Sequence, residues 1–159
     1  PKKTSRGDEI ICDISKDTII LNYCRKRGKP RPYKIKRYVS RETFIAGVTI
    51  WACEDTRRRI HELEISNSSE KIADMYMNLL RALELDKYAR IRVQALKNNV
   101  AHCEKFWINY LKIDKIEKPL THTKKIRKNS NGIVNIRINS TILRELFLYW
   151  SHILPDLLQ

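Results

Sequence analysis

The chain has 159 residues, 42% of them hydrophobic and 31% charged, a balance that excludes a disordered polar tract and points to a folded domain with its own core. Its 32 Lys and Arg against 18 Asp and Glu give a net charge of +14. That excess excludes an anion-repelling surface and favours a polyanionic partner, either nucleic acid or an anionic membrane face.

The longest apolar run, Phe44–Cys53, is too short to span a bilayer, and no signal peptide opens the chain, so no membrane partner is expected. Cys12, Cys24, Cys53 and Cys103 follow neither a disulfide framework nor a Cys-x-x-Cys spacing. They read as reduced thiols of an intracellular protein (cytoplasm, nucleoid or organelle). The histidines are scattered singly, which argues against a zinc site.

Glu9–Ser15 and Thr18–Cys24 read as two short strands around a Lys16-Asp17 turn. A basic strap follows, Arg25-Lys26-Arg27-Gly28-Lys29-Pro30-Arg31-Pro32-Tyr33-Lys34-Ile35-Lys36-Arg37, with no acid and with prolines that forbid a helix. Residues 1–41 hold 13 basic and 4 acidic side chains, net +9, leaving +5 for the rest of the chain. Residues 1–39 are therefore expected to form a basic β or extended segment that tracks along phosphates through Arg25, Lys26, Arg27, Lys29 and Arg31.

Residues 40–159 read as the main domain. Ser40 is the expected N-cap of a helix reaching about Glu54, apolar on every side and hence expected to be buried all round. Ile60–Ser66 alternates as a half-buried strand. Asn67-Ser68-Ser69-Glu70 offers a capping box to a helix with its stripe at Ile72, Met75, Leu79, Leu80 and Leu83. Tyr88–Ala95 alternates again, with Arg90, Arg92 and Gln94 outward. Asn99–Lys112 reads as a helix carrying Val100, Cys103, Trp107, Tyr110 and Leu111. Pro119–Lys128 and Ile133–Asn139 flank Asn129-Ser130-Asn131-Gly132 and read as a hairpin. Ser140 or Thr141 caps a last helix, which Pro155 is expected to end.

This order of helix, strand, helix, strand, helix, hairpin, helix predicts an α+β fold, a mixed or antiparallel sheet with helices on one face. The opposite face would present Glu62, Glu64, Ser66, Arg90, Arg92, Gln94, Thr121, Thr123, Lys125, Arg127, Asn135, Arg137 and Asn139. Arginine, asparagine and glutamine are the side chains that read base edges. The DNA contacts are therefore placed on Arg90, Arg92, Gln94, Thr121, Thr123, Lys125, Arg127, Arg137 and Asn139.

The segment Phe44-Ile45-Ala46-Gly47-Val48-Thr49-Ile50-Trp51-Ala52-Cys53-Glu54-Asp55-Thr56 resembles a divergent helix of the LAGLIDADG homing endonucleases, apolar, with an Ala-Gly near its start and an acid at its end. The order of elements over about residues 40–154 is similar to that family as well, through Leu63-Glu64-Ile65-Ser66-Asn67-Ser68, Arg90-Ile91-Arg92-Val93-Gln94 and Ile136-Arg137-Ile138-Asn139-Ser140-Thr141. The resemblance implies an αββαββα-type domain that acts as a homodimer, because the chain has one such helix, on a pseudo-palindromic duplex DNA site. It implies a helix seam formed by Ala46, Gly47, Thr49, Ile50 and Cys53. It implies an acid at the helix end that holds Mg2+ or Mn2+ beside the scissile phosphates, Glu54 with Asp55 as the competing assignment. A basic residue assists in this family, and Lys125 is the candidate, with Lys124 and Arg127 behind it. The expected function is a site-specific, metal-dependent DNA endonuclease, with introns as a usual context. The alternative is a DNA- or RNA-binding protein of the same fold without cleavage, a transcription regulator or a splicing maturase. A basic RNA-associated domain is a third reading, on charge alone.

Overall fold

The computed structural model describes residues 2–3, 9–24, 31–55, 61–122 and 131–157. Strands β1 (Lys2–Lys3), β2 (Glu9–Ile14), β3 (Thr18–Cys24) and β4 (Arg31–Lys36) form an antiparallel meander in sequence order. The turn between β2 and β3 is closed by Ser15, whose amide donates to the Thr18 carbonyl at 2.9 Å. Part of the basic strap is thus a strand. Along β4, Tyr33 and Ile35 are buried while Lys34 and Lys36 face solvent, the period-2 alternation of a sheet with one wet face.

After the meander come α1 (Arg41–Glu54), β5 (Leu63–Asn67), α2 (Glu70–Ala82), a 3-10 turn (Asp86–Tyr88), β6 (Arg90–Leu96), α3 (Val100–Leu111), β7 (Glu117–His122), β8 (Ile133–Ile138) and α4 (Thr141–Leu157). The protein is α+β with a mixed second sheet of order β5-β8-β6-β7. Beyond the meander the order is αβαβαββα. It agrees with the element order read from periodicity and differs from αββαββα, because a helix separates β5 from β6.

The expected hairpin is not formed. β8 lies between β5 and β6, antiparallel to both, and β7 pairs with β6 in parallel. Separated by β6, β7 and β8 are not neighbours, and residues 123–130 between them lie outside the described part. The Asn-Gly turn signal marks Gly132 for a different reason. Its φ is +75°, and an added Cβ would lie 2.6 Å from the Gln94 carbonyl oxygen, so this glycine allows β8 to enter close beside β6.

The helices cover one face of this sheet. Ile65, Ile91, Val93, Val134 and Ile136 point into a core shared with Trp51, Tyr76, Leu79, Leu80, Trp107 and Phe147. The meander joins the same core through Leu21, Tyr33 and Ile35. The Lys36 amide donates to the Leu83 carbonyl at 3.0 Å, and the Tyr33 ring meets Tyr88 edge-on at 5.1 Å. Strands β3 and β4 therefore contribute buried side chains to the same core as the helices and the second sheet.

Ser40 caps α1 as expected, its side chain accepting from the Thr43 amide at 3.2 Å. The helix is not buried all round. Gly47, Val48 and Trp51 are buried against α2, α4 and β5, whereas Thr49, Ala52 and Cys53 are exposed and Ala46 is half-buried. Gly47 belongs to the inner side. A Cβ there would overlap the Leu79 side chain, with Leu79 Cδ2 only 2.6 Å away, so the missing side chain lets α1 and α2 touch. Gly47→Ala is expected to cost about 1–3 kcal/mol by overpacking, read as a lowered urea midpoint with an unchanged slope.

Two further details differ from the periodicity reading. On α2, Met75 is exposed and Tyr76 is fully buried, because α2 contacts α1, α3, β5 and β8 and so buries more than one stripe. Ser69 is its N-cap but makes no side-chain capping bond, and Asn67 Oδ1 accepts from the Ser69 amide at 2.8 Å in an Asx turn ahead of the helix. α4 continues through Pro155 to Leu157. Its cap is Ser140, accepting from the Leu143 amide at 3.2 Å.

Candidate nucleic-acid interface

The sheet face turned away from the helices is built by strand alternation. Ile91, Val93 and Ala95 point inward, leaving Arg90, Arg92 and Gln94 outward on β6. On β8, Val134, Ile136 and Ile138 point inward, leaving Asn135 and Arg137 outward. The antiparallel register sets Arg90 beside Arg137 and Arg92 beside Asn135, with Glu64 beside Arg137 and Ser66 beside Asn135. Two adjacent strands, β6 and β8, thus bring together the expected DNA-reading residues Arg90, Arg92, Gln94 and Arg137. Asn139 lies exposed just past β8.

Thr121 does not join them. The β6–β7 register shifts between Arg92 and Gln94, so Arg92 pairs with Glu117 and Gln94 pairs with Leu120. This irregularity moves Leu120 to the outward face and aligns Thr121 with the inward-pointing Ala95. Thr123, Lys125 and Arg127 lie outside the described residues, as do Lys124, Arg25, Lys26, Arg27 and Lys29. Arg31 is placed in β4 by its backbone.

The face is polar but not simply basic. Glu117, which periodicity left outside the strand, opens β7 and meets three arginines. Its carboxylate is 3.1 Å from Arg137, 3.5 Å from Arg92 and 3.6 Å from Arg90. Arg137 also meets Glu62 at 3.8 Å. The Asn135 amide donates to the Glu64 carboxylate and, at 2.8 Å, to the Ser66 hydroxyl. Glu62, Glu64 and Glu117 thus match Arg90, Arg92 and Arg137 in charge. Beside the face, an open cleft of about 910 Å³ between α2, the 3-10 turn and the α3–β7 connection has Arg90 and Glu117 among its lining. The other charged groups of that cleft are mixed in sign, Arg81, Lys87, Lys112 and Lys115 with Asp86 and Asp114, so it defines no single ligand class.

The two acids ending α1 have different surroundings. Asp55, the C-cap, accepts from Arg144 of α4 at 2.7 Å, and both side chains are over nine-tenths buried. This carboxylate is engaged in a buried ion pair that ties the end of α1 to α4. Burial, with smaller contributions from the Asp55 and Glu64 carboxylates, pushes the neighbouring Tyr76 phenol far up, so it stays neutral. Glu54 is half-buried. It stands seven residues after Gly47, two turns along the helix, and so on the side of α1 that faces α2.

Among the described residues, no group of three or more His, Cys, Asp or Glu could hold a metal ion. One chain offers Glu54 alone at this position, so a divalent site would need the Glu54 of a second copy and phosphate oxygens of DNA, the hard oxygen donors that magnesium takes.

Of the expected seam, Ile50 is half-buried against the core, and Ala46, Thr49 and Cys53 lie on the outer half of α1, with Thr49 and Cys53 exposed and Ala46 half-buried. Gly47 does not, as its contact with Leu79 shows. Among the described residues no helix is long and apolar enough to cross a membrane. The chain matches no family model, no curated protein and no solved structure.

Proposed function

We propose that the chain is a duplex-DNA-binding homodimer that meets its second copy through α1, the mode of assembly that the resemblance to the LAGLIDADG family implies. The observation that carries this reading is the uncovered sheet face, where Arg90, Arg92, Gln94 and Arg137 stand on two adjacent central strands. Arginine can bond guanine edges, and asparagine or glutamine can bond adenine edges. The net charge of +14 supplies the long-range attraction to phosphate. The small residues left outward on α1, Ala46, Thr49, Ala52 and Cys53, allow a second α1 to approach closely.

The dimer is tested at Thr49, which is exposed and can be changed without touching the core. The full chain is expected to sediment as a dimer of 18.9 kDa protomers, and Thr49→Arg, which sets two like charges across the seam, as a monomer. The same change is expected to weaken duplex binding, since each half then binds alone. A wild-type chain that sediments as a monomer with and without duplex DNA would remove the homodimer from this reading.

Magnesium-dependent cleavage is the second reading, and the observation favouring it is the position of Glu54 as the last residue of α1. Magnesium bound between two such carboxylates and a phosphodiester would polarise the phosphate and activate water. The protein's part would be to hold the carboxylates at the dyad and the backbone against the basic groups. The Asp55–Arg144 ion pair withdraws the other acid from that task, which is why DNA binding is the primary proposal.

A further inference from the structure

Glu117 has two carboxylate oxygens and three arginines within ion-pair distance. Only the Arg137 contact, at 3.1 Å, is also a hydrogen bond. Arg90 and Arg92 are held at 3.6 and 3.5 Å, close enough for attraction but without donor alignment. The Nε groups of Arg92 and Arg137 are buried and find no acceptor among the described residues. Glu117 alone meets all three guanidiniums, and with Glu62 on Arg137 and Glu64 opposite Arg137 across the β5–β8 register the cluster is matched in charge. The charges are matched but the donors are not, since both buried Nε groups lack an acceptor among the described residues. A phosphate offers more oxygens and more charge than a carboxylate, and guanidinium forks match it well.

Glu117 is also well placed to leave. It opens the edge strand β7, and its side chain is 32% exposed, so a side-chain rotation frees the arginines without disturbing β6 or β8. We propose that Arg90, Arg92 and Arg137 form a phosphate-binding site and that Glu117 occupies it in the ligand-free chain as an internal stand-in for phosphate. The proposal deepens the DNA-binding reading and rests on it for the identity of the natural phosphate. Glu117 then sets affinity by competition, and a backbone phosphate enters only by displacing it.

The test compares Glu117→Gln, which keeps the shape and removes the charge, with Glu145→Gln, the same charge change on the exposed side of α4. Two probes are titrated against the full chain, inorganic pyrophosphate by calorimetry and a mixed-sequence duplex by fluorescence anisotropy. Glu117→Gln is expected to tighten both by about tenfold and Glu145→Gln by no more than about twofold. The gain is expected to vanish in Glu117→Gln/Arg92→Ala. Glu117→Ala, with the same expected sign, serves if the glutamine variant does not fold. A pyrophosphate gain without any duplex binding would keep the phosphate site and sink the DNA reading. Duplex binding with equal gains in Glu117→Gln and Glu145→Gln would keep the DNA reading and overturn the role given to Glu117.

Discussion

Asp55→Ala is expected to destabilise the fold by about 3–5 kcal/mol, the largest stability loss of any single change at the candidate site. The carboxylate lies 2.7 Å from Arg144, with 8% and 7% of the two side chains exposed. Deleting the acid strands a guanidinium in a place water hardly reaches. The Nε of Arg144 already has no acceptor among the described residues, so the stranded cation has few substitute partners. The penalty comes mostly from the charge left behind rather than from the attraction lost, because the pair paid desolvation when it formed. Asp55→Ala/Arg144→Met is therefore expected to recover most of the loss. Urea unfolding of the two single variants and the double variant reads this coupling directly. A metal ligand would behave differently. It would leave metal-free stability nearly unchanged on mutation and would remove stabilisation by added magnesium. An Asp55→Ala chain as stable as wild type in the absence of metal would contradict the structural role assigned here.

Local signals in the sequence were enough for most elements and for one half of the candidate interface. Ser40 caps α1 because a short hydroxyl side chain sits before an apolar run, a relation confined to four residues. Arg90, Arg92 and Gln94 face outward because Ile91 and Val93 alternate with them. What periodicity missed depends on contacts distant in sequence. The parallel pairing of β6 with β7 is not encoded by the turn residues near Gly132, which are as compatible with a hairpin as with entry beside β6. The register shift next to Arg92 sends Thr121 to the other face, and no spacing rule within β7 reports it. Glu117 sits two residues before Pro119, where a strand drawn from the proline onward excludes it. One signal was available: a single acid just ahead of an edge strand, opposite a strand of alternating arginines. Asp55 and Arg144 are 89 positions apart, and only the packing of α4 on α1 joins them.

The wheel of α1 has no polar side between Phe44 and Cys53. An apolar run with no polar side can mean a helix buried all round or one whose second side awaits a partner. Small residues on that second side, Ala46, Thr49, Ala52 and Cys53, fit the latter because they bury little area alone yet permit close backbone approach. Larger residues on the inner side, Val48 and Trp51, supply the intramolecular contact, with Trp51 edge-on to Phe147 at 5.5 Å. Gly47 is small for the inner contact and not for the outer one, which residue size alone did not distinguish.

Glu54→Gln separates binding from chemistry. The substitution keeps the side chain's size and hydrogen-bonding oxygen and removes the charge a divalent ion needs. Duplex affinity is expected to change by less than about twofold, since Glu54 is on α1 and contributes nothing to the arginine face. If the dimer cleaves, the rate at which supercoiled plasmid is nicked in magnesium is expected to fall on the order of 10²–10³-fold, the equivalent of several kcal/mol of lost metal stabilisation. Both protomers lose a carboxylate in the variant, so the loss includes both strands. The position of Glu54 on the α2 side of α1 makes this a demanding requirement. Two copies must bring their helix ends together closely enough for both acids to share the DNA backbone. A wild-type dimer that binds duplex and never nicks it, in magnesium or manganese, would assign the fold to recognition alone. Nicking that survives Glu54→Gln undiminished would place the metal on other residues.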